Sequence, residues 1–168
     1  MIKYGHLPEQ FGLTLISDMV VRKEALLNND CFDCLEGIIN HYMRHPDPTV
    51  VPIYNFEILH RVPGPYQITK YRYDMKRLGM LTDGERSTIA TATRQYYMPS
   101  NSIEFPKHQR DAYPELIEFI REVCRLGRYR DFHYGNVMKD DDESYKLIDL
   151  EGFIYTPFNR QENDWIRE

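Results

Sequence analysis

Short runs of alternating apolar and polar residues dominate the first third of the chain, and this pattern is typical of β-strands. Four such runs predict strands, at residues 11–17, 19–23, 50–59 and 65–71. Ser17-Asp18 separates the first two runs, so we expect them to form a tight hairpin. Pro63-Gly64-Pro65 is a turn signal at the start of the last run. This part of the chain therefore predicts strands around a single helix.

Apolar residues at helical spacing predict three helices, over residues 33–44, 82–97 and 114–126. The first ends at His45-Pro46-Asp47-Pro48, because proline does not continue a helix. Thr82 and Glu85 have the spacing of a capping box at the start of the second helix. Pro114 suits the first turn of the third, and Gly127 can end it. The later part of the chain is therefore predicted to be mostly helical.

The composition is that of an ordinary globular protein, with 42% apolar and 28% charged residues in a chain of 168. This length predicts one compact domain, which can have two lobes. The net charge of −5 argues against a dedicated nucleic-acid binder, which needs a basic surface. No apolar run approaches the roughly eighteen residues of a membrane helix, and the first residues lack the apolar stretch of a signal peptide. We therefore expect a soluble, cytoplasmic protein with reduced cysteines.

The strongest chemical signal surrounds two short apolar strands, at 137–138 and 147–148, joined by a polar turn. The two strands should pair as a hairpin. That pairing brings Asn136 and Asp149 to the same open end, where an amide oxygen and a carboxylate can share a hard cation such as Mg²⁺. Asp131, on the loop just before the hairpin, would then face the phosphates bound to the metal.

Asp131, followed by Asn136 and thirteen residues later by Asp149, is similar in order and spacing to the catalytic loop and metal-binding Asp of the protein kinase-like superfamily. The resemblance implies ATP as phosphoryl donor and Asp131 as the group that orients or deprotonates the acceptor hydroxyl. It also implies that Asn136 and Asp149 bind Mg²⁺. Arg130 resembles the Arg that steadies the catalytic loop in these proteins.

His133 stands two residues after Asp131, where eukaryotic Ser/Thr kinases have Lys. The resulting Asp-x-His-x-x-Asn form resembles aminoglycoside phosphotransferases and some small bacterial and phage kinases. The resemblance places His133 among the catalytic residues with two roles open. It either holds the shape of the catalytic loop by a hydrogen bond or contacts phosphate directly.

The N-terminal third resembles the ATP-binding lobe of the same superfamily. Lys23 resembles the ATP-binding Lys, and Glu36 lies in a helix that resembles αC, so an ion pair between the two is implied. Gly5 and Gly12 are the glycines available for a loop that cradles phosphates. Residues 67–74 fall where the hinge should lie, with backbone groups offered to adenine. The implied ATP-binding residues are thus Lys23, Glu36, Gly12, Tyr71 and Tyr73.

The implied fold is α+β and protein kinase-like, with a small antiparallel-sheet N-lobe, one αC-like helix and a truncated helical C-lobe. Residues 1–168 would form a single minimal domain, with the N-lobe and hinge in 1–73 and the C-lobe in 74–168. Only sixteen residues, 153–168, follow Gly152, which leaves no room for an activation segment or a large helical subdomain. The overall likeness is to miniature kinases, such as phage kinases of the T7 type and some bacterial effectors.

The sequence leaves three functions as hypotheses. The first is ATP- and Mg²⁺-dependent phosphorylation of a protein hydroxyl, with the substrate recognised by its folded surface and with no nucleic-acid or membrane partner. The second is a small-molecule phosphotransferase, which the Asp-x-His-x-x-Asn form favours. The third is a noncatalytic pseudokinase that binds a partner protein, which the poor glycine loop favours and the intact acidic residues oppose.

Each predicted site also has a purely structural interpretation. Asp131, Asn136 and Asp149 are residue types that commonly cap local turns. Lys23 and Glu36 would then form an ordinary exposed ion pair, which contributes little to stability. Contacts that a turn cap or a surface ion pair would not need would distinguish the functional interpretation from the structural one.

Overall fold

A computed structural model of the chain describes residues 12–96 and 102–154. The chain divides into two compact units, residues 1–79 and 80–168. The described part is mixed α+β, with a four-stranded antiparallel sheet and four α-helices, so the predicted α+β class is confirmed. In the two described ranges no helix is long and apolar enough to cross a membrane.

The first unit contains the four-stranded sheet, in the order β1-β2-β4-β3 with every neighbouring pair antiparallel. Its strands are β1 (Leu13–Ser17), β2 (Val20–Asn28), β3 (Ile53–Arg61) and β4 (Ile68–Lys76). The predicted hairpin of the first two strands is confirmed. Both β2 and β4 are longer than predicted, and β4 lies between β2 and β3.

Helix α1 (Asn29–Arg44) follows β2 directly and is capped by Asn28, whose side chain accepts a hydrogen bond from the Cys31 N–H at 2.8 Å. Its apolar face is buried against the sheet. The Phe32 ring lies 5.4 Å from the ring of Tyr71, and Tyr71 in turn stacks on Tyr73 at 6.4 Å. Fully burying an aromatic or aliphatic side chain of this size stabilises a fold by about 1.5–3 kcal/mol.

The second unit begins with α2 (Asp83–Thr93), where Thr82 and Glu85 form the predicted capping box. The helix α4 (Pro114–Leu126) also has its predicted bounds, and Gly127 ends it in the left-handed conformation with φ +70°. The short helix α3 (Lys107–Ala112) lies between them and was not predicted. The predicted extension of α2 to Tyr97 passes beyond Thr93, and Tyr97 lies outside the described residues.

Two short strands complete this unit, β5 (Val137–Lys139) and β6 (Tyr145–Leu147). Single 3₁₀ turns precede β5 at Tyr134–Asn136 and follow β6 at Leu150–Phe153. The strands pair antiparallel with Val137 opposite Leu147, so the predicted hairpin is confirmed. The polar loop between the two strands contains the most acidic run of the chain.

Glu85 joins α2 to the hairpin and is only 2% exposed. Its carboxylate accepts hydrogen bonds from the Thr82 N–H at 2.9 Å and from the Tyr145 hydroxyl, and Lys139 Nζ lies 3.1 Å away. Burial raises the pKa of Glu85, but the hydrogen bonds outweigh it and hold that pKa below its ordinary value. Glu85 is therefore a charged, buried anchor for the β5-β6 hairpin.

Candidate active site

The β5-β6 hairpin fixes where the predicted metal ligands lie. Asn136 comes directly before β5, and its carbonyl accepts a hydrogen bond from the Ile148 N–H at 3.0 Å. This bond extends the ladder by one pair beyond Val137 and Leu147. Asp149 is the next residue after Ile148, so Asn136 and Asp149 both lie at the open end of the hairpin, as the strand pattern predicted.

The side chain of Asn136 is buried, and its amide nitrogen donates two hydrogen bonds to Asp131. Its Nδ2 donates to the backbone carbonyl of Asp131 at 2.7 Å and to Asp131 Oδ2 at 3.1 Å. With the amide nitrogen held there, Oδ1 must lie on the opposite side of the amide group. The orientation of Asn136 therefore presents an oxygen away from Asp131, as a ligand to a cation would require.

His133 lies on the other side of the same carboxylate. Its Nε2 is 3.6 Å from Asp131 Oδ1, and its Nδ1 accepts a hydrogen bond from the Gly135 N–H at 3.0 Å. The interaction with Asp131 raises the pKa of His133, and burial opposes this by lowering it. Asp131 thus lies between an amide donor and an imidazole, and its side chain is 18% exposed.

Asp149 is fixed through its backbone by Tyr129, a fully buried side chain. The Tyr129 hydroxyl donates to the Asp149 carbonyl at 2.8 Å, and the Gly152 N–H also donates to that carbonyl at 3.1 Å. Burial, followed by the charges of Asp149 and Asp131, raises the pKa of Tyr129 well above its ordinary value. The hydroxyl therefore stays protonated and keeps donating to Asp149.

The segment before Asp131 is tied to the segment after Asp149. The Arg130 N–H donates to the Gly152 carbonyl at 2.7 Å. A Cβ atom at position 152 would lie 2.4 Å from the Tyr129 ring, so only glycine allows this approach. Tyr129 and Gly152 were not assigned a role from the sequence. In the sequence, Gly152 is only a glycine that follows a run of residues that are buried in the structure. Its role becomes apparent only once its contact with Tyr129 is known.

The chemistry of these groups fits a magnesium ion. An Asn oxygen and an Asp carboxylate are hard oxygen ligands, and two protein ligands leave positions for water and phosphate oxygens. Within residues 12–96 and 102–154 no group of three His, Cys, Asp or Glu side chains could hold a metal by itself. A site formed by Asn136 and Asp149 would thus need oxygens from a bound substrate to complete it, as Mg²⁺ sites in phosphoryl-transfer enzymes do.

The predicted pair Lys23 and Glu36 lies in the first unit. Lys23 is on β2, directly opposite Tyr73 on β4, so both side chains project from the same face of the sheet. That face carries Tyr71, against which α1 packs through Phe32. Glu36 is on α1, and both charged side chains are half-buried. The strand and the helix that carry them are thus neighbours, and the ion pair itself stays a prediction.

The prediction that residues 67–74 form a hinge is wrong, because residues 68–74 have the backbone of a paired β-strand. They form most of β4, and the backbones of Tyr71 and Tyr73 are in register with β2 on one side and β3 on the other. Both side chains are fully buried. The backbone groups predicted to bind adenine therefore pair within the sheet, and a linking segment can begin only after Lys76.

Gly12 has a structural reason to be glycine. Its φ is +68°, its carbonyl accepts a hydrogen bond from the Glu24 N–H at 2.8 Å, and an added Cβ would lie 2.2 Å from the Glu24 carbonyl oxygen. This close approach accounts for the glycine without any ligand. A role of Gly12 in phosphate binding stays a prediction, and Gly5 lies outside the described residues.

Comparison with known proteins adds no relative to this picture. No protein-family model matches the chain, and no curated protein matches it either. The interpretation of the site therefore depends on the residues themselves, and above all on the contacts among Asp131, Asn136 and Asp149.

Proposed function

We propose that the protein is an ATP- and Mg²⁺-dependent kinase that transfers the γ-phosphoryl group to a hydroxyl of a protein substrate. The observation that carries the proposal is the pair of hydrogen bonds from Asn136 Nδ2 to the carbonyl and carboxylate of Asp131. A residue that only capped a turn would not need to be held at a carboxylate. Here the contact sets a potential base and a potential metal ligand in one fixed relation.

The reaction would use each group as follows. The acceptor hydroxyl donates its proton to the Asp131 carboxylate while its oxygen attacks the γ-phosphorus, and the bond to the bridging oxygen breaks to release ADP. Asn136 Oδ1 and the Asp149 carboxylate would hold Mg²⁺, which neutralises charge on the phosphate oxygens. Tyr129 would keep Asp149 in place through its backbone carbonyl. Precise positioning of this kind supplies most of the catalysis in phosphoryl transfer.

The first unit supports the proposal in a more general way. It has an antiparallel sheet with one helix after the strand that carries Lys23, which agrees with the proposed small N-lobe and its αC-like helix. A protein kinase-like two-lobed fold is part of the proposal. The ion pair of Lys23 with Glu36 would bind and orient the phosphates of ATP.

A second candidate is transfer to a small hydroxylated molecule. The Asp-x-His-x-x-Asn form of residues 131–136 favours it, because this form resembles aminoglycoside phosphotransferases. The two candidates share the same phosphoryl-transfer chemistry and differ only in the acceptor. Transfer to a small hydroxylated compound in the absence of any other protein would favour the second.

The test is transfer of labelled γ-phosphate from Mg-ATP by the purified protein, with and without a bacterial lysate. The variants Asp131→Asn and Asp149→Ala should each reduce transfer by at least about 100-fold, because each removes a group placed at the reacting phosphate. Asp83→Asn is the matched control, since Asp83 is fully exposed at the start of α2. It should transfer as the wild type does.

Loss of label in both variants, with unchanged thermal unfolding, would support the kinase and reveal its substrate as a labelled band. Equal transfer by Asp131→Asn and wild type would overturn the assigned base. No transfer under any condition, with no ATP-induced thermal shift that depends on Asp149, would instead favour a noncatalytic partner-binding protein.

A further inference from the structure

We propose that His133 is a positioning residue, which holds the Asp131 carboxylate on the side opposite Asn136 and does so as the tautomer protonated at Nε2. The inference rests on the proposed function, because it assigns Asp131 as the group that accepts the hydroxyl proton. It also decides between the two roles that the sequence leaves open for His133. The geometry points to a contact with Asp131.

The first step concerns the proton on the imidazole. Nδ1 of His133 accepts the Gly135 N–H at 3.0 Å, so Nδ1 carries a lone pair there. A neutral imidazole has one donor nitrogen and one acceptor nitrogen. The proton of the neutral ring must therefore be on Nε2, the nitrogen that faces Asp131 Oδ1. The backbone of the loop thus selects the tautomer.

The second step concerns the two carboxylate oxygens. Oδ2 accepts from Asn136 at 3.1 Å, whereas Oδ1 has His133 Nε2 at 3.6 Å. Contacts from both sides oppose rotation of the carboxylate about its terminal bond. A carboxylate has about four lone-pair positions, so Oδ1 keeps one for the acceptor hydroxyl. The separation of 3.6 Å is longer than a formed hydrogen bond, so the proposal requires this contact to shorten when the substrate binds.

The third step concerns the place of the ring. A Cβ atom at position 135 would lie 2.8 Å from Cε1 and 2.9 Å from Nδ1 of His133. Glycine at this position therefore gives the imidazole its room and donates the N–H that fixes the tautomer. Gly135 and His133 thus act together, and this explains the glycine inside the Asp-x-His-x-x-Asn segment without invoking a phosphate.

Two amide substitutions of His133 distinguish the roles of the two ring nitrogens. In His133→Asn the side-chain oxygen can replace Nδ1 as acceptor of the Gly135 N–H, but nothing reaches Asp131. In His133→Gln the longer side chain can place an N–H where Nε2 was. We expect His133→Asn to lower kcat about 10- to 100-fold, in line with the cost of a misplaced catalytic group. His133→Gln should recover most of kcat, and the KM for ATP should change by less than about threefold in both variants.

His108→Asn provides a matched control in the same unit, because His108 is exposed on α3. The tautomer is measured without any activity, by ¹⁵N NMR of the imidazole at alkaline pH, with the His133 signals assigned from their absence in His133→Asn. We expect the proton on Nε2, and we expect Asp131→Asn to shift the Nε2 resonance more than the Nδ1 resonance.

The outcomes separate the inference from the proposed function. If the wild type transfers phosphate and His133→Asn keeps its kcat, the positioning role is overturned and the kinase stands. A proton on Nδ1, or a larger effect on the KM for ATP than on kcat, would likewise overturn it in favour of another role. A wild type that transfers no phosphate overturns the proposed function, and the role of His133 in catalysis with it.

Discussion

Replacing Glu85 by alanine tests whether the second unit depends on its buried carboxylate. The change leaves the Tyr145 hydroxyl and the Thr82 N–H without their acceptor, and it leaves Lys139, whose side chain is 25% exposed, without its counter-charge. Each lost hydrogen bond to a charged group costs about 1.5–3 kcal/mol. Breaking a buried pair by removing one partner costs about 3–5 kcal/mol. These costs overlap and do not add, because one carboxylate makes all three contacts, and we expect the free energy of unfolding to fall by about 3–5 kcal/mol.

The measurement is urea unfolding followed by circular dichroism, with Glu118→Ala as the matched control. Glu118 is 61% exposed and pairs with Arg125 at 3.3 Å, so its loss should cost no more than about 1 kcal/mol. The same contrast should hold in thermal unfolding. If Glu85→Ala costs no more than Glu118→Ala, the carboxylate does not anchor the hairpin and the reasoning fails.

Acid supplies a second measurement on the same group. The folded-state pKa of Glu85 is lowered below its ordinary value of 4.5, so its contribution to stability is present above pH 4.5 and is lost as the pH falls through the folded-state pKa. Glu85→Gln has no carboxyl group at this position to titrate. The wild type should therefore lose more stability on acidification below pH 4.5 than Glu85→Gln does. Parallel curves for the two proteins would contradict the assigned charge.

Three further predictions concern other parts of the structure. Gly152→Ala should destabilise the fold by about 1–3 kcal/mol, because its Cβ would meet the Tyr129 ring. Gly37→Ala on α1 should stabilise it by up to about 1 kcal/mol, since its Cβ meets nothing within 4 Å. Urea titrations of both variants measure the two changes. Tyr129→Phe should cost about 1 kcal/mol in the same titration and reduce phosphoryl transfer, because Asp149 loses a donor to its carbonyl. Burial raises the pKa of Cys124 to about 11, so with the other two cysteines replaced by serine the rate of thiol alkylation should still be rising at pH 10.

The parts of the fold that the sequence predicted are those that local signals determine. The capping box at Thr82, the helix end at Gly127 and the pairing of β5 with β6 each depend on residues close together in the chain. Local hydrogen bonding and backbone freedom are enough to set them. The placement of Asn136 and Asp149 at one end of a hairpin follows from the same kind of signal.

The hinge at residues 67–74 shows where sequence reasoning failed. From Thr69 to Met75 the uncharged residues Thr69, Tyr71, Tyr73 and Met75 alternate with the charged residues Lys70, Arg72 and Asp74, a period of two that predicts a strand. The hinge position implied by the resemblance to the protein kinase-like superfamily was given more weight than that local pattern. The central position of β4 could not be predicted, because pairing between strands distant in sequence depends on burial that only the folded chain shows.

Other contacts of the site could not be predicted for a similar reason. The hydroxyl of Tyr129 reaches the Asp149 carbonyl across twenty residues of sequence, and Asn136 Nδ2 selects Asp131 rather than a turn in its own neighbourhood. No residue type or spacing specifies such partners. The contact of Tyr129 depends on the buried position of its ring, which packs against Gly152 and Phe153.

The hydrogen bonds described above for Asp131, Asn136 and Asp149 join residues that lie between Tyr129 and Gly152. So short a segment loses little chain entropy when its ends close, and such local structure forms quickly during folding. Its amide protons should therefore be protected from exchange together, as one cooperative unit. In evolutionary terms, we expect insertions elsewhere in the chain that spare Glu85 to leave these three side chains close together. Such a site can be kept while other parts of the chain change.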